Sequence, residues 1–336
     1  MSHGVTEFSL IETFFRPLGQ GGDGVVQGIG DDCAVLAVAP GFELAVSMDT
    51  LVSGVHFFPE VAADDLGYKA LAVNLSDLAA MGATPKWLTL SVTLPTLDTT
   101  WLEGFCQGLR GLMQTCPITL VGGDTTQGPL SISMQVHGWL PQGQRLSRAG
   151  AKVGDRILVS GTLGDAGLAL KHQLHTVPTQ AALCATAIEA VCARLHRPTP
   201  RITLGQALLP HASSAIDVSD GLLADVGHIA KASGVSAQLE YACLPLSTPV
   251  QDYLDRADDP LLPLTAGDDY ELCFTVAPQH LSVCLAEIQA LGGGMVTDIG
   301  EIVPGDGTVT CDQQGQTLDV MQAGYRHFSG GNDANV

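Results

Sequence analysis

Two rhythms of apolar and polar positions run along this chain, and the change from one to the other marks its elements. Between Asp64 and Met81, Leu71, Leu75 and Leu78 recur at helical spacing and Gly82 supplies a stop, which predicts a helix. Leu88–Leu94 alternates in steps of two, the rhythm of a strand. The same reading predicts further helices over Phe8–Phe15, Trp101–Met113, Ala166–His172, Thr179–Arg194, Leu222–Lys231 and Leu281–Ala290. It predicts strands over Ala34–Val38, Leu44–Met48, Ile118–Val121, Ile132–Trp139, Arg156–Val159, Ala237–Leu239, Glu271–Val276 and Met295–Ile299. Strands mixed with helices in both halves argue for two α/β or α+β domains. Lys152-Val153-Gly154-Asp155 opens the second, which puts the boundary near residues 145–152.

The bulk composition narrows the class. The chain has 336 residues, 46% hydrophobic and only 5% aromatic, so its cores are aliphatic and alanine-rich. A formal net charge of −20 repels bare polyanions and argues against nucleic acid as a partner. Nine scattered cysteines without a C-x-x-C pair read as reduced thiols of a cytoplasmic protein, not as a disulfide frame or a zinc site. No basic segment followed by an apolar run opens the chain, and no stretch approaches 18 apolar residues, so neither export nor a membrane is expected.

The chemistry is concentrated in aspartates. Most acids in a protein are solvated surface groups. Here several end an apolar run beside Gly, Ser or Thr, where a strand is expected to enter a turn. They are Gly30-Asp31-Asp32, Ser47-Met48-Asp49-Thr50, Gly122-Gly123-Asp124-Thr125-Thr126, Asp217-Val218-Ser219-Asp220-Gly221 and Gly267-Asp268-Asp269-Tyr270. Mg²⁺ takes oxygen ligands, often one or two carboxylates plus substrate phosphates. Glycines let the backbone approach a polyphosphate, and free N–H groups donate to its oxygens. Ser219 or Asp220 equally suits the cap of the following helix. Asn74 and Asp77 fall three apart and share a helix face. An Asp between Leu75 and Leu78 is costly if buried alone, so that face is either solvated or meets a cation.

Other motifs fail on context. Gly19-Gln20-Gly21-Gly22-Asp23-Gly24 spells G-x-G-x-x-G, but a helix precedes it and none follows, so it reads as a loop. No Walker A sequence, protein-kinase motif set, H-E-x-x-H or G-x-S-x-G occurs. Of ten histidines, His56 alone stands out, seven residues after Asp49 in a Gly-containing stretch.

Taken in order, these segments resemble the thiamine-monophosphate kinase family of the aminoimidazole ribonucleotide synthetase-like superfamily. The likeness is carried by Phe8–Ile11, Gly28–Ala34, Asp49–Val52 with Gly54 and His56, and Lys69–Gly82. It continues through Gly122–Thr126, Ser147–Ala151, Asp217–Leu222 and Asp269–Leu272. The resemblance implies a two-domain α/β (α+β) fold. Residues 1–148 would bind ATP and Mg²⁺ and contribute to a β-barrel shared within a homodimer, and residues 149–330 would form a C-terminal α/β domain. It implies γ-phosphoryl transfer from ATP to thiamine monophosphate, with several Mg²⁺ ions and no general base. The implied metal ligands are Asp32, Ser47, Met48 (through its backbone), Asp49, Asp77, Asp124, Asp217 and Asp220. The implied ATP contacts are Gly123, Asp124, Arg148 and Ser219, and the substrate contacts are His56 and Asp268.

Three positions depart from the family's pattern. Asp268 stands where Glu is usual, Met48 where Thr is common, and no aromatic lies shortly before Gly324-Tyr325-Arg326-His327-Phe328. The rival readings are another enzyme of the superfamily (selenophosphate synthetase, aminoimidazole ribonucleotide synthetase or the hydrogenase-maturation dehydratase) or a nucleotide- or divalent-ion-binding protein without catalysis. Gly19–Gly24 contains no Cys, which argues against selenophosphate synthetase.

Overall fold

The computed structural model describes residues 7–313 and 316–317; Gly324–Phe328 lies outside them. The chain forms two compact units. One runs to Leu78 and resumes over Ala83–Gln144; the other takes Ala79–Gly82 and the chain from Arg145 onward.

The first unit begins with α1 (Glu7–Leu10), then a π turn over Ile11–Phe15 and a 3₁₀ turn over Arg16–Gly19. The expected regular helix over Phe8–Phe15 is therefore rewound. Leu10 and Phe15 are both buried five residues apart, a spacing that i→i+5 winding aligns. A short hairpin follows, β1 (Val25–Gln27) with β2 (Val35–Leu36). Then come β3 (Phe42–Val52), α2 (Ala63–Ala80), β4 (Thr84–Leu94), α3 (Thr99–Met113), β5 (Thr119–Gln127) and β6 (Ser131–Pro141). Four of these strands make a sheet in the order β3-β6-β4-β5, antiparallel except for β4 with β5. That parallel pair needs a crossover, which α3 supplies.

Helix α2 is buried on nearly every side, including Asn74 and Ser76, as an apolar helix inside a domain must be. It comes so close to α3 that a Cβ on Gly108 would sit 1.9 Å from the Asp64 carbonyl oxygen. Two of the expected turns are strand interior. Ser47–Thr50 lies within β3 and Gly122–Thr126 within β5, because the ladders to β6 and β4 satisfy their backbones.

The second unit contains β7 (Arg156–Ser160), α4 (Asp165–Gln173), α5 (Ala185–His196), α6 (Ile202–Leu208), β8 (Ala212–Val218), α7 (Leu222–Ser233) and β9 (Ser236–Glu240). It continues with α8 (Thr248–Leu254), α9 (Leu262–Thr265), β10 (Glu271–Val276), α10 (Pro278–Ala290), β11 (Val296–Val303), β12 (Val309–Gln313) and β13 (Gln316–Thr317). A seven-stranded mixed sheet runs β13-β12-β9-β11-β7-β10-β8. Its core includes Ile157, Val159, Ile216, Val218, Leu222, Val226 and Leu239 on one side and Leu158, Ala215, Leu272 and Phe274 on the other. The antiparallel registers bring the ends of β7 and β8 beside the start of β10. No helix among the described residues is long and apolar enough to cross a membrane.

Candidate functional site

In the first unit the predicted acids sit where a strand meets a buried helix. Residues two apart on β3 face the same way, and residues three apart on α2 share a face, so the two periods mesh. Ser47 Oγ donates to Asp77 Oδ2 at 2.5 Å, and the Asp49 backbone N–H donates to Asn74 Oδ1 at 3.1 Å. The Asn74 amide donates in turn to Ala70 O at 2.9 Å. Asp77 is thus only partly exposed and has a hydroxyl partner in Ser47. Met48 lies between these contacts on the other face of β3, 56% exposed, so its side chain takes no part in them.

At the end of β3 the chain turns through Ser53–His56, and His56 Nδ1 accepts from Val52 N–H at 3.0 Å. That contact fixes the neutral tautomer with its proton on Nε2. Asp32 is exposed in the loop after β1. Its backbone N–H donates to Asp31 Oδ1 at 2.9 Å, while Arg16 Nη1 holds the preceding Ile29 carbonyl at 3.0 Å. Asp31 therefore shapes the turn that carries Asp32. Asp124 is exposed on β5, opposite Ser91 of β4, at the far edge of the sheet from β3. The ladder puts Asp124 in the row of Ser91, Ser133 and Thr50, one position out of phase with Asp49. Gly123 presses on β4 so tightly that a Cβ would lie 1.8 Å from the Leu90 carbonyl oxygen.

In the second unit Asp217 lies buried within β8, opposite Leu272 of β10, and the turn after β8 carries Ser219 and Asp220. The expected cap is not formed by Ser219 or Asp220. Gly221 is the N-cap residue, at φ 111°, and no side chain caps the helix there. Instead Asp225, from the first turn of α7, reaches back. Its Oδ2 accepts from Ser219 N–H at 3.0 Å and Asp220 N–H at 3.1 Å. These N–H groups are consumed inside the protein, so this turn offers its side chains rather than its backbone as ligands. Burial, joined by the charges of Asp217 and Asp220 and opposed by the two N–H bonds, brings the Asp225 carboxyl up to about 7.

The other flank of the turn is clamped by the predicted substrate loop. Asp268 N–H donates to Ser219 O at 2.9 Å and Tyr270 N–H to Val218 O at 2.8 Å. Asp268 and Tyr270 both have positive φ, 67° and 49°. Such strain costs about 1–3 kcal/mol per residue and persists where surrounding contacts over-determine it. Next to them Asp269 is buried and accepts from Gly164 N–H at 2.8 Å. Burial pushes its carboxyl up to about 8, with the Asp165 charge adding to the effect. Glu271, fully buried, meets Arg194, Arg201 and Ser160. Arg148 is anchored elsewhere. Its loop is held where Ser233 Oγ accepts from Gly150 and Ala151 N–H at 3.1 and 3.2 Å. Ser233 ends α7, so this anchor and the Ser219–Asp220 turn are separated by a 12-residue helix, roughly 18 Å.

The candidate ligands thus form two groups, Asp32, Ser47, Asp49, Asp77 and Asp124 in the first unit and Asp217 and Asp220 in the second. Among the described residues no three His, Cys, Asp or Glu side chains stand close enough to hold a metal ion. The donors are nevertheless hard oxygens, the set Mg²⁺ takes together with water and substrate phosphate. The sequence did not single out Asp225 or the pairing of Glu271 with Arg194 and Arg201. An acid in a first helical turn is ordinary, so only the buried Leu222, Leu223 and Val226 around Asp225 hinted at it.

Comparison with known proteins places this arrangement. Residues 30–140 match the family model of the AIR synthase related protein N-terminal domain, and residues 152–312 that of its C-terminal domain. The thiamine-monophosphate kinase of Salmonella typhimurium strain LT2 is 45% identical over 325 residues, 96% of this chain and 98% of that protein. The crystal structure of thiamine-monophosphate kinase from Stenotrophomonas maltophilia K279a superposes with a TM-score of 0.83 at 45% identity, over 91% of this chain and 96% of that one. The solved complex of AaThiL with AMPPCP and TMP gives a TM-score of 0.75 at 30% identity, over 96% and 97% of the two chains. The chain therefore belongs to the thiamine-monophosphate kinase family, with the two-domain fold of the AIR synthase-related proteins.

Proposed function

We propose that this chain transfers the γ-phosphoryl group of ATP to thiamine monophosphate, giving thiamine diphosphate and ADP, in the cytoplasm. The observation that carries this reading is end-to-end identity of 45% with a thiamine-monophosphate kinase, both domains included. The transfer runs in line. An oxygen of the acceptor phosphate forms the new P–O bond while the bond from the γ-phosphorus to the β-bridging oxygen breaks, and ADP leaves. The acceptor is a phosphate monoester with a second pKa of about 6, already ionised near neutrality, so no side chain has to remove a proton.

What remains for the protein is positioning and charge. Asp32, Ser47, Met48 (by its backbone), Asp49, Asp77, Asp124, Asp217 and Asp220 would hold several Mg²⁺ ions, which offset repulsion between two polyanionic substrates. Gly123, Asp124, Arg148 and Ser219 contact ATP; Arg148 brings a fixed positive fork. His56, with its proton on Nε2, donates to the acceptor, and Asp268 contacts it from the strained loop. Residues 1–148 serve as the nucleotide- and metal-binding domain and 149–330 as the second domain.

A homodimer completes the reading. β3 is an edge strand, and Leu44, Val46 and Met48 along one of its faces are 47%, 51% and 56% exposed. An apolar edge of that length invites a second copy. The function is tested with purified protein, ATP, Mg²⁺ and a panel of acceptors. Thiamine diphosphate should form in step with ADP only when thiamine monophosphate is present. Acceptor-independent ADP release, or a different preferred acceptor, overturns the proposal.

A further inference from the structure

We infer that Asp225 is the positioning residue of the Ser219–Asp220 turn, setting the geometry with which that turn receives the nucleotide. The inference rests on the proposed function for its ligand, and on hydrogen bonds and burial for its mechanism. Asp225 is only 2% exposed, and one of its oxygens accepts both the Ser219 and the Asp220 N–H. The helix it belongs to has no side-chain cap, so this carboxylate is what ties α7 back to the end of β8. On the opposite flank, the Val218 and Ser219 carbonyls accept from Tyr270 and Asp268 N–H. The two consecutive peptide groups of the turn are thereby held from two sides, their N–H groups by Asp225 and their carbonyls by the Asp268–Tyr270 loop.

An oxygen acceptor at this spot, not a charge that meets the ligand, is what the geometry requires. Asn can present its carbonyl oxygen to the same two N–H groups, whereas Ala leaves both without an acceptor. Two variants therefore separate positioning from direct ligation. Asp225→Ala should weaken binding of Mg·ATP, measured by calorimetry, at least tenfold and raise the Mg²⁺ concentration for half-maximal turnover similarly. Asp225→Asn should stay within about threefold of the parent in both. An Asp225→Ala protein that unfolds at its normal temperature and binds Mg·ATP normally overturns the inference. So does an Asn variant as impaired as the Ala one, since that outcome assigns the role to the charge.

Amide hydrogen exchange on the unaltered protein gives an arm that needs no variant to fold. Ser219 and Asp220 should be as protected as the interior of α7, and exchange at unstructured rates sinks the proposal. If the unaltered protein binds Mg·ATP but does not phosphorylate thiamine monophosphate, the proposed function fails while the binding and exchange arms still decide the role of Asp225.

Discussion

Removing the charge of Glu271 should be the most damaging single-atom exchange in the second unit. Its carboxylate is fully buried and receives Arg194 Nη2 at 2.6 Å, Arg201 Nε and Nη2 at 2.6 Å, and Ser160 Oγ at 2.5 Å. At that separation each ion pair is worth about 6 kcal/mol of Coulomb energy for an effective dielectric near 20. Desolvating the three ions returns most of it, so the net contribution of the intact cluster is small. Glu271→Gln does not return the protein to that zero. It places an amide N–H₂ against two guanidinium groups that lie only 22% and 19% exposed, leaving buried positive charge uncompensated. Breaking a buried pair in this way costs about 3–5 kcal/mol. For a unit of this size each kcal/mol lowers the unfolding midpoint by about 2–4 °C, so a loss of roughly 6–20 °C is expected by calorimetry. Arg194 also donates to Asp269 O at 3.2 Å, beside the strained loop, so the variant's KM for the acceptor should rise as well. A midpoint within about 2 °C of the parent refutes the reasoning, because it means the arginines reach water when unpaired.

Asp49→Asn or Asp220→Asn should abolish turnover with the unfolding midpoint unchanged; near-normal rates at saturating Mg²⁺ count against the carboxylate assignment. Asn74→Leu removes both the acceptor for Asp49 N–H and the donor to Ala70 O, which should cost about 1–3 kcal/mol in chemical denaturation. An unchanged denaturation midpoint would show that neither bond matters. Val46→Glu puts a charge on the apolar edge and should yield monomers in light scattering; a dimer that survives it is built elsewhere. The folded-state carboxyl of Asp269 stands near 8, above its unfolded value of 3.8. Between those values the native state holds a proton that the unfolded state has released. This group's contribution is therefore complete below about pH 4 and is lost as pH rises toward 8. Asp269→Asn should lack that decline, so its stability relative to the parent improves from pH 5 to 8; parallel curves contradict it.

Much of the fold was legible because apolar periodicity reports burial. Helix α2 was found to within a residue at each end, and Glu271–Val276 has the predicted bounds. The failures share a cause. β8 begins Ala212-Ser213-Ser214, and two hydroxyls inside an apolar run erase the pattern of a strand. Those hydroxyls are satisfied by tertiary partners, Ser213 by Asp155 at 2.5 Å and Ser214 by Thr275 at 2.7 Å, which no local reading can anticipate. Likewise the Thr179–Arg194 helix is split into a 3₁₀ turn over Thr179–Ala181 and α5.

The site was legible in a different way. Aspartates beside Gly, Ser and Thr drew attention through composition, and the spacing of Asn74 and Asp77 predicted a shared face. What that face meets came only from the fold, because a helix residue three positions on finds a strand residue two positions back: Asp77 meets Ser47 as Asn74 meets Asp49. Asp225, which escaped notice, acts through backbone, touching two N–H groups, and so does the Asp268–Tyr270 loop, which touches two carbonyls. A side chain that binds the main chain carries no partner of complementary type in the sequence, so its role has no signature there. Asp220 and Asp225 look alike in the sequence until burial separates them. Asp220 is partly exposed while Asp225 is almost completely enclosed. A buried acid close behind an exposed one, at the mouth of a helix, is therefore where the support of such a turn should be sought.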